Sequence, residues 1–125
     1  MRQLLRVALG LFALLFVSFG VRWLAFPEGI AEAFGLELGD GLGLSSQLGD
    51  LGAFFFTAGI CLALALVTGR RLWFYPPAML LLLTALGRMV AWLFHGAAFA
   101  GSMIVVELVA GGLALAGARS LGDRA

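Results

Sequence analysis

Lysine is absent from this 125-residue chain, and charge of either sign is scarce: Asp, Glu and Arg together make up 12% of the residues. Without lysine there is no Walker-type phosphate loop. A single cysteine, Cys61, excludes an internal disulfide and any multi-cysteine zinc or iron–sulfur site. A single histidine, His95, excludes a histidine-rich metal centre and a bis-histidine haem. No metal and no cofactor is therefore expected; whether the chain is an enzyme is left open, with the balance leaning against it. The net charge of +1 argues neither for nor against an ionic partner; no nucleic-acid partner is expected.

What fills the space left by charge is apolar: 62% of residues are hydrophobic and the mean hydropathy is +1.07. Soluble domains are roughly half apolar and a quarter charged. A soluble domain this small leaves too much surface exposed to hide such a composition. Lipid has to be the solvent. Four apolar stretches, about 4–26, 50–68, 73–95 and 101–118, each approach the ~20 residues that a helix needs to cross the hydrocarbon core. Only helices and closed barrels satisfy the backbone inside lipid, and these runs lack the alternation of a barrel strand. The expected fold is all-α: one domain, residues 1–125, forming a transmembrane four-helix bundle.

Orientation follows from arginine placement. Arg2 and Arg6 precede the first span, Arg70 and Arg71 join the second to the third, and Arg119 and Arg124 follow the fourth. The two opposite loops carry no arginine; the long one holds Glu28, Glu32, Glu37, Asp40 and Asp50, the short one His95. Arginine-rich loops stay in the cytoplasm, so both termini are expected inside, in a bacterial inner membrane. The first span resembles a signal peptide at its start, but Arg22 and Trp23 stand before any suitable cleavage site, and Ala31-Glu32-Ala33 lies too far from the apolar region. In the long outside loop, Pro27 suits the first turn of a helix and Gly35 its C-terminal cap, predicting a short interfacial helix over Pro27–Phe34. Ile30 and Phe34 would face the membrane surface, with Glu28 and Glu32 facing water. Gly39, Gly41, Gly43, Ser45 and Ser46 read as flexible connection.

Two ionisable residues lie deep, where each costs on the order of 2.5–3.5 kcal/mol on insertion scales. Arg88 stands about 10 Å down the third span from His95, and Glu107 about 9 Å down the fourth from Gly101, at ~1.5 Å per residue. Matching depth, opposite sign and antiparallel neighbours predict an Arg88–Glu107 ion pair. Helical spacing puts Thr84, Arg88 and His95 on one face with Trp92 beside them, Asp50, Thr57 and Cys61 on another, and Ser18 with Arg22 on a third. Arg22 and Asp50, both near the outer surface, are candidates for a second pair. Small residues follow Glu107 at Ala110, Gly111 and Ala114, and Gly59 with Ala63 offers a similar close contact. The expected site is a polar cleft opening outward and lined by Arg22, Asp50, Thr57, Thr84, Trp92 and His95 around the pair. Each feature also has a plainer meaning. The pair can be a structural pin, Arg22 can reach to the interface, and His95 can be merely solvated. Cys61 can be a small packing residue. Phe54–Phe56, Trp23, Trp73 and Trp92 can be lipid-facing or interfacial anchors.

Pro27 directly after the first span, Phe34-Gly35-Leu36, Gly49-Asp50-Leu51-Gly52 before a phenylalanine-rich span, Leu86-Gly87-Arg88 and Glu107-Leu108 stand in this order along nearly the whole chain. In that order the sequence resembles a family of small bacterial four-helix membrane proteins catalogued as a domain of unknown function, itself distantly similar to DoxX-like membrane proteins. The resemblance implies the four-helix fold and the importance of Arg88 and Glu107, and it supplies no substrate. The expected function is that of a membrane protein whose outer cleft binds a small amphiphile or lipid, or which supports a membrane partner or a second copy of itself. The alternatives are a DoxX-type accessory subunit of a quinone-linked oxidoreductase and a small proton-coupled transporter using Glu107.

Overall fold

The computed structural model describes residues 1–123. Arg124, one of the arginines in the orientation argument, lies outside the described residues. The described residues form helices joined by short loops, without strands: α1 (Arg2–Ala25), α2 (Pro27–Ala33), α3 (Gly41–Ser46), α4 (Gly52–Thr68), α5 (Tyr75–His95) and α6 (Gly101–Ser120). A π-helical turn, Gln47–Leu51, joins α3 to α4, and a 3-10 turn, Arg71–Phe74, leads into α5. Four helical units are long and apolar enough to cross a membrane: Arg2–Ala25, Gly41–Thr68, Arg71–His95 and Gly101–Ser120. Pro76 and Pro77 sit in the first turn of α5, where the missing amide donors have no helical acceptor to lose.

The bundle closes as a ring of sequential neighbours. α1 packs along α4 and α5 along α6, while shorter contacts of α4 with α5 and of α1 with α6 complete it. Close approach depends on small residues. A Cβ on Gly59 would stand 2.8 Å from Val17 N and 2.9 Å from Ala13 O, so the backbones of α1 and α4 nearly touch there. A Cβ on Gly117 would stand 2.6 Å from the Phe74 ring. Ala110, Gly111 and Ala114 are buried as one stripe of α6. Ala63 faces outward instead; the contact through Gly59 continues along Phe55, Ala58, Leu62 and Ala65, whose spacing of three and four follows the helical repeat.

The outer loop departs from its expected form in two ways. Ile30 is 1% exposed and Phe34 packs onto the core cluster, so this face of α2 lies on the bundle rather than on the membrane surface, with Glu28 and Glu32 exposed. The reason is an aromatic platform: Phe34 meets Phe19, Phe55 and Trp23 edge-on at centroid distances of 5.5, 5.4 and 6.3 Å. Gly35, at φ +71°, then ends the helix, with Gly35 N–H donating to Glu32 O and Leu36 N–H to Ala31 O, a Schellman closure. The second departure is that the glycine- and serine-rich stretch is not flexible connection. It forms α3 and runs on into α4, tied back by Gln47, whose Oε1 accepts from Gly39 N–H (2.7 Å) and whose Nε2 donates to Glu37 O (2.9 Å).

At the opposite end of the bundle, Arg71 clasps the end of α6. Its Nε donates to Ala118 O at 3.0 Å, and its backbone N–H donates to the Asp123 carboxylate. The guanidinium thereby caps the Ala118 carbonyl in the last turn of α6.

Candidate functional site

Arg88 on α5 and Glu107 on α6 face each other across the α5–α6 contact. Arg88 Nε donates to both Glu107 oxygens, each at 2.9 Å. The Glu107 side chain is 11% exposed and that of Arg88 28%. The pair is therefore lopsided: Glu107 is sunk in the bundle, and Arg88 is the partner that remains more accessible. No hydrogen bond engages Nη1 or Nη2 of Arg88 among the described residues.

The accessible side of the pair forms part of the wall of a cavity of about 290 Å³ between α1, α2, α4, α5 and α6. Phe16 and Phe19 of α1, Phe54 and Phe55 of α4, and Phe34 after α2 supply most of its apolar wall. A second cavity of about 280 Å³ adjoins it and shares Phe34, Phe54, Phe55, Arg88 and Glu107. The site is thus an aromatic chamber with one ion pair, not the polar-lined cleft that the stripe of charges suggested.

The remaining expected lining residues divide. Thr84 borders the second cavity, and its hydroxyl donates to Leu80 O at 2.6 Å. Thr57 lies with Thr84 along an open groove of about 570 Å³ between α4 and α5. Arg22, Asp50, Trp92 and His95 are exposed and border none of these cavities. Arg22 and Asp50 form no ion pair among the described residues; Arg22 extends over the Phe19 ring at 6.0 Å. Trp92 meets Phe99 at a centroid distance of 4.9 Å with the rings tilted by 59°, outside the chamber lining. Trp92 and His95 continue this side of α5 one and two turns beyond Arg88, in the exposed last turn of the helix.

Two aromatic assignments change with the packing. Trp23 is fully buried, with its Nε1 unpaired among the described residues, and Phe55 is 6% exposed, so neither is a lipid-facing anchor. Cys61 is buried and free, as a packing residue would be. The residues missed from sequence are the aromatic walls. A signal existed, since Phe12, Phe16, Phe19 and Trp23 recur at helical spacing and mark one face of α1. Phe34 had only its spacing of four from Ile30, which marks a helical face but not what that face packs on; the folding-back of α2 brings it in.

Fold and site together define a multi-pass helical membrane protein with a partly sunken ion pair in an aromatic chamber. No family model, curated protein or solved structure matches the chain.

Proposed function

We propose that the protein is a non-enzymatic component of a bacterial inner membrane, with both termini cytoplasmic, that binds a small amphiphile or lipid in the outward-facing chamber at Arg88 and Glu107. The observation that carries this reading is the chamber: about 290 Å³ of space with apolar, phenylalanine-rich walls and three polar residues, the Arg88–Glu107 pair and Ser102, the mix typical of small-molecule sites. A cavity of ~150 Å³ lined by apolar side chains already holds benzene. A pin alone needs no space beside it. We further propose that the chain is related to the four-helix family of unknown function that it resembles. Phe34, Arg88 and Glu107, from three of the motifs behind that resemblance, meet in this chamber.

Engagement of both Glu107 oxygens by Arg88 favours binding over proton-coupled transport, in which the carboxylate has to be free to load and release a proton. The test is retention of endogenous lipid through detergent purification, read by native mass spectrometry. Ser102 borders the chamber and Leu108 is exposed on the same helix. Ser102→Trp should abolish a retained small-molecule adduct while Leu108→Trp keeps it; equal retention in both would count against the chamber.

A further inference from the structure

The chamber does not end at its aromatic walls. Phe54 and Thr84 border both the second cavity and the groove between α4 and α5, so the three spaces adjoin one another in sequence. The groove runs from this junction past Leu83, Leu80 and Met79 to Pro76. Pro76 lies about 18 Å from Arg88 along α5 at ~1.5 Å per residue. Met79 and Leu83 are each 60% exposed, so the groove lies open along the flank of the bundle where acyl chains of the bilayer would lie. Arg88 and Glu107 stand at one end of this path, with no hydrogen bond to Arg88 Nη1 or Nη2 among the described residues; the rest is Leu, Met, Pro, Phe and the two threonines.

The charge state of the polar end selects the head group. An arginine guanidinium carries five N–H donors and no acceptor, and Glu107 engages only the one on Nε. What remains calls for a hydrogen-bond acceptor. The charge, however, is already balanced by Glu107. A carboxylate or phosphate head would leave one negative charge unmatched at membrane depth, whereas a carbonyl accepts the same hydrogen bonds without adding charge. We propose that the ligand is a single-chain amphiphile with an uncharged carbonyl head, an ester or a ketone, whose head sits at Arg88 Nη1 and Nη2 and whose chain lies in the α4–α5 groove after entering sideways from the bilayer. This assignment rests on the chamber being an amphiphile site and adds the head-group chemistry and the path of the tail.

The test uses full-length protein in detergent, with methyl palmitate, palmitate, hexadecane and methyl hexanoate as probes, and binding read by native mass spectrometry. Methyl palmitate should bind at least tenfold more tightly than palmitate or hexadecane. Arg88→Lys keeps a cation opposite Glu107 but removes the planar fork of donors, and it should lower methyl palmitate affinity about tenfold or more while the protein stays folded by circular dichroism. Met79→Trp, which fills the groove, should weaken methyl palmitate and spare methyl hexanoate. Palmitate binding as tightly as the ester, or Arg88→Lys binding like wild type, would overturn the head-group assignment. Met79→Trp acting equally on long and short esters would overturn the tail path. In either case Ser102→Trp still abolishes binding if the chamber is the site. Methyl palmitate bound equally by wild type and Ser102→Trp, or by neither, would remove the chamber reading and this assignment together.

Discussion

Arg88 and Glu107 show how much a single pair of side chains decides in a bundle this small. Removing one partner of a buried pair strands the other, at a cost of about 3–5 kcal/mol in soluble cores; snorkelling and water defects reduce that in lipid. Arg88→Met and Glu107→Gln should therefore each lower the melting temperature strongly, and the double variant should recover part of the loss. Contact should appear as a coupling of about 0.5–3 kcal/mol in a double-mutant cycle. Additive single effects would mean that the 2.9 Å contacts do not carry stability. Arg22→Ala and Asp50→Ala should shift stability by no more than about 1 kcal/mol, the range of exposed charges. Both residues are exposed and unpaired with one another. The pair itself was legible because sign and depth can be read from span arithmetic. Its lopsidedness was not, since which partner sinks and which stays accessible depends on helix rotation.

Elements hold this site through close helix contact, and glycine is where that contact can be tested. Gly59→Ala drives a Cβ against the backbone of α1, which cannot swing aside as a side chain can. It should cost about 1–3 kcal/mol, the usual penalty of overpacking. Gly112→Ala, on α6 with open space around it, should be neutral or stabilising by up to ~1 kcal/mol. A Gly59→Ala protein that melts like wild type would mean α1 and α4 are not in contact at this point. The Arg71 clasp makes a second prediction at this scale. Hydrogen bonding from the Arg71 backbone amide holds the Asp123 carboxyl below its usual value, with smaller help from the nearby Arg71 and Arg70 charges. A depressed carboxylate contributes stability above its unfolded pKa of ~3.9, and that contribution fades as pH falls through the lower folded value. Amides at the end of α6 should therefore exchange faster as pH drops below ~4 once intrinsic rates are corrected. Asp123→Asn should remove that step, and an unchanged step would assign it to another group. Helix existence was legible from hydrophobic run length, and so were Pro27 and Gly35 as the punctuation of α2. The clasp was not, because Arg71 and the α6 end meet only in three dimensions. Nor was α3: glycine and serine composition argues for a loop, and only the continuation into α4, with Gln47 bonded to both Glu37 and Gly39, stabilises a helix there.

At the scale of the whole molecule, the proposed orientation and the chamber stand or fall separately. In a Cys61→Ala background, cysteines at Leu42 and Ala97 should react with an impermeant thiol reagent in intact cells, and one at Gln3 should react only after lysis. The reverse pattern would invert the protein in the membrane without altering the site. The occupied chamber is the central claim, and photo-crosslinking tests it most directly. A diazirine-bearing methyl ester of a long-chain fatty acid, activated in membranes containing the protein, should label Phe34, Phe54, Val106 and other residues bordering the chamber. An excess of the unlabelled ester should compete that labelling away. Labels spread without competition over the lipid-facing positions Leu11, Leu14 and Val105 would show an ordinary annulus of lipid around a bundle whose ion pair is only a pin.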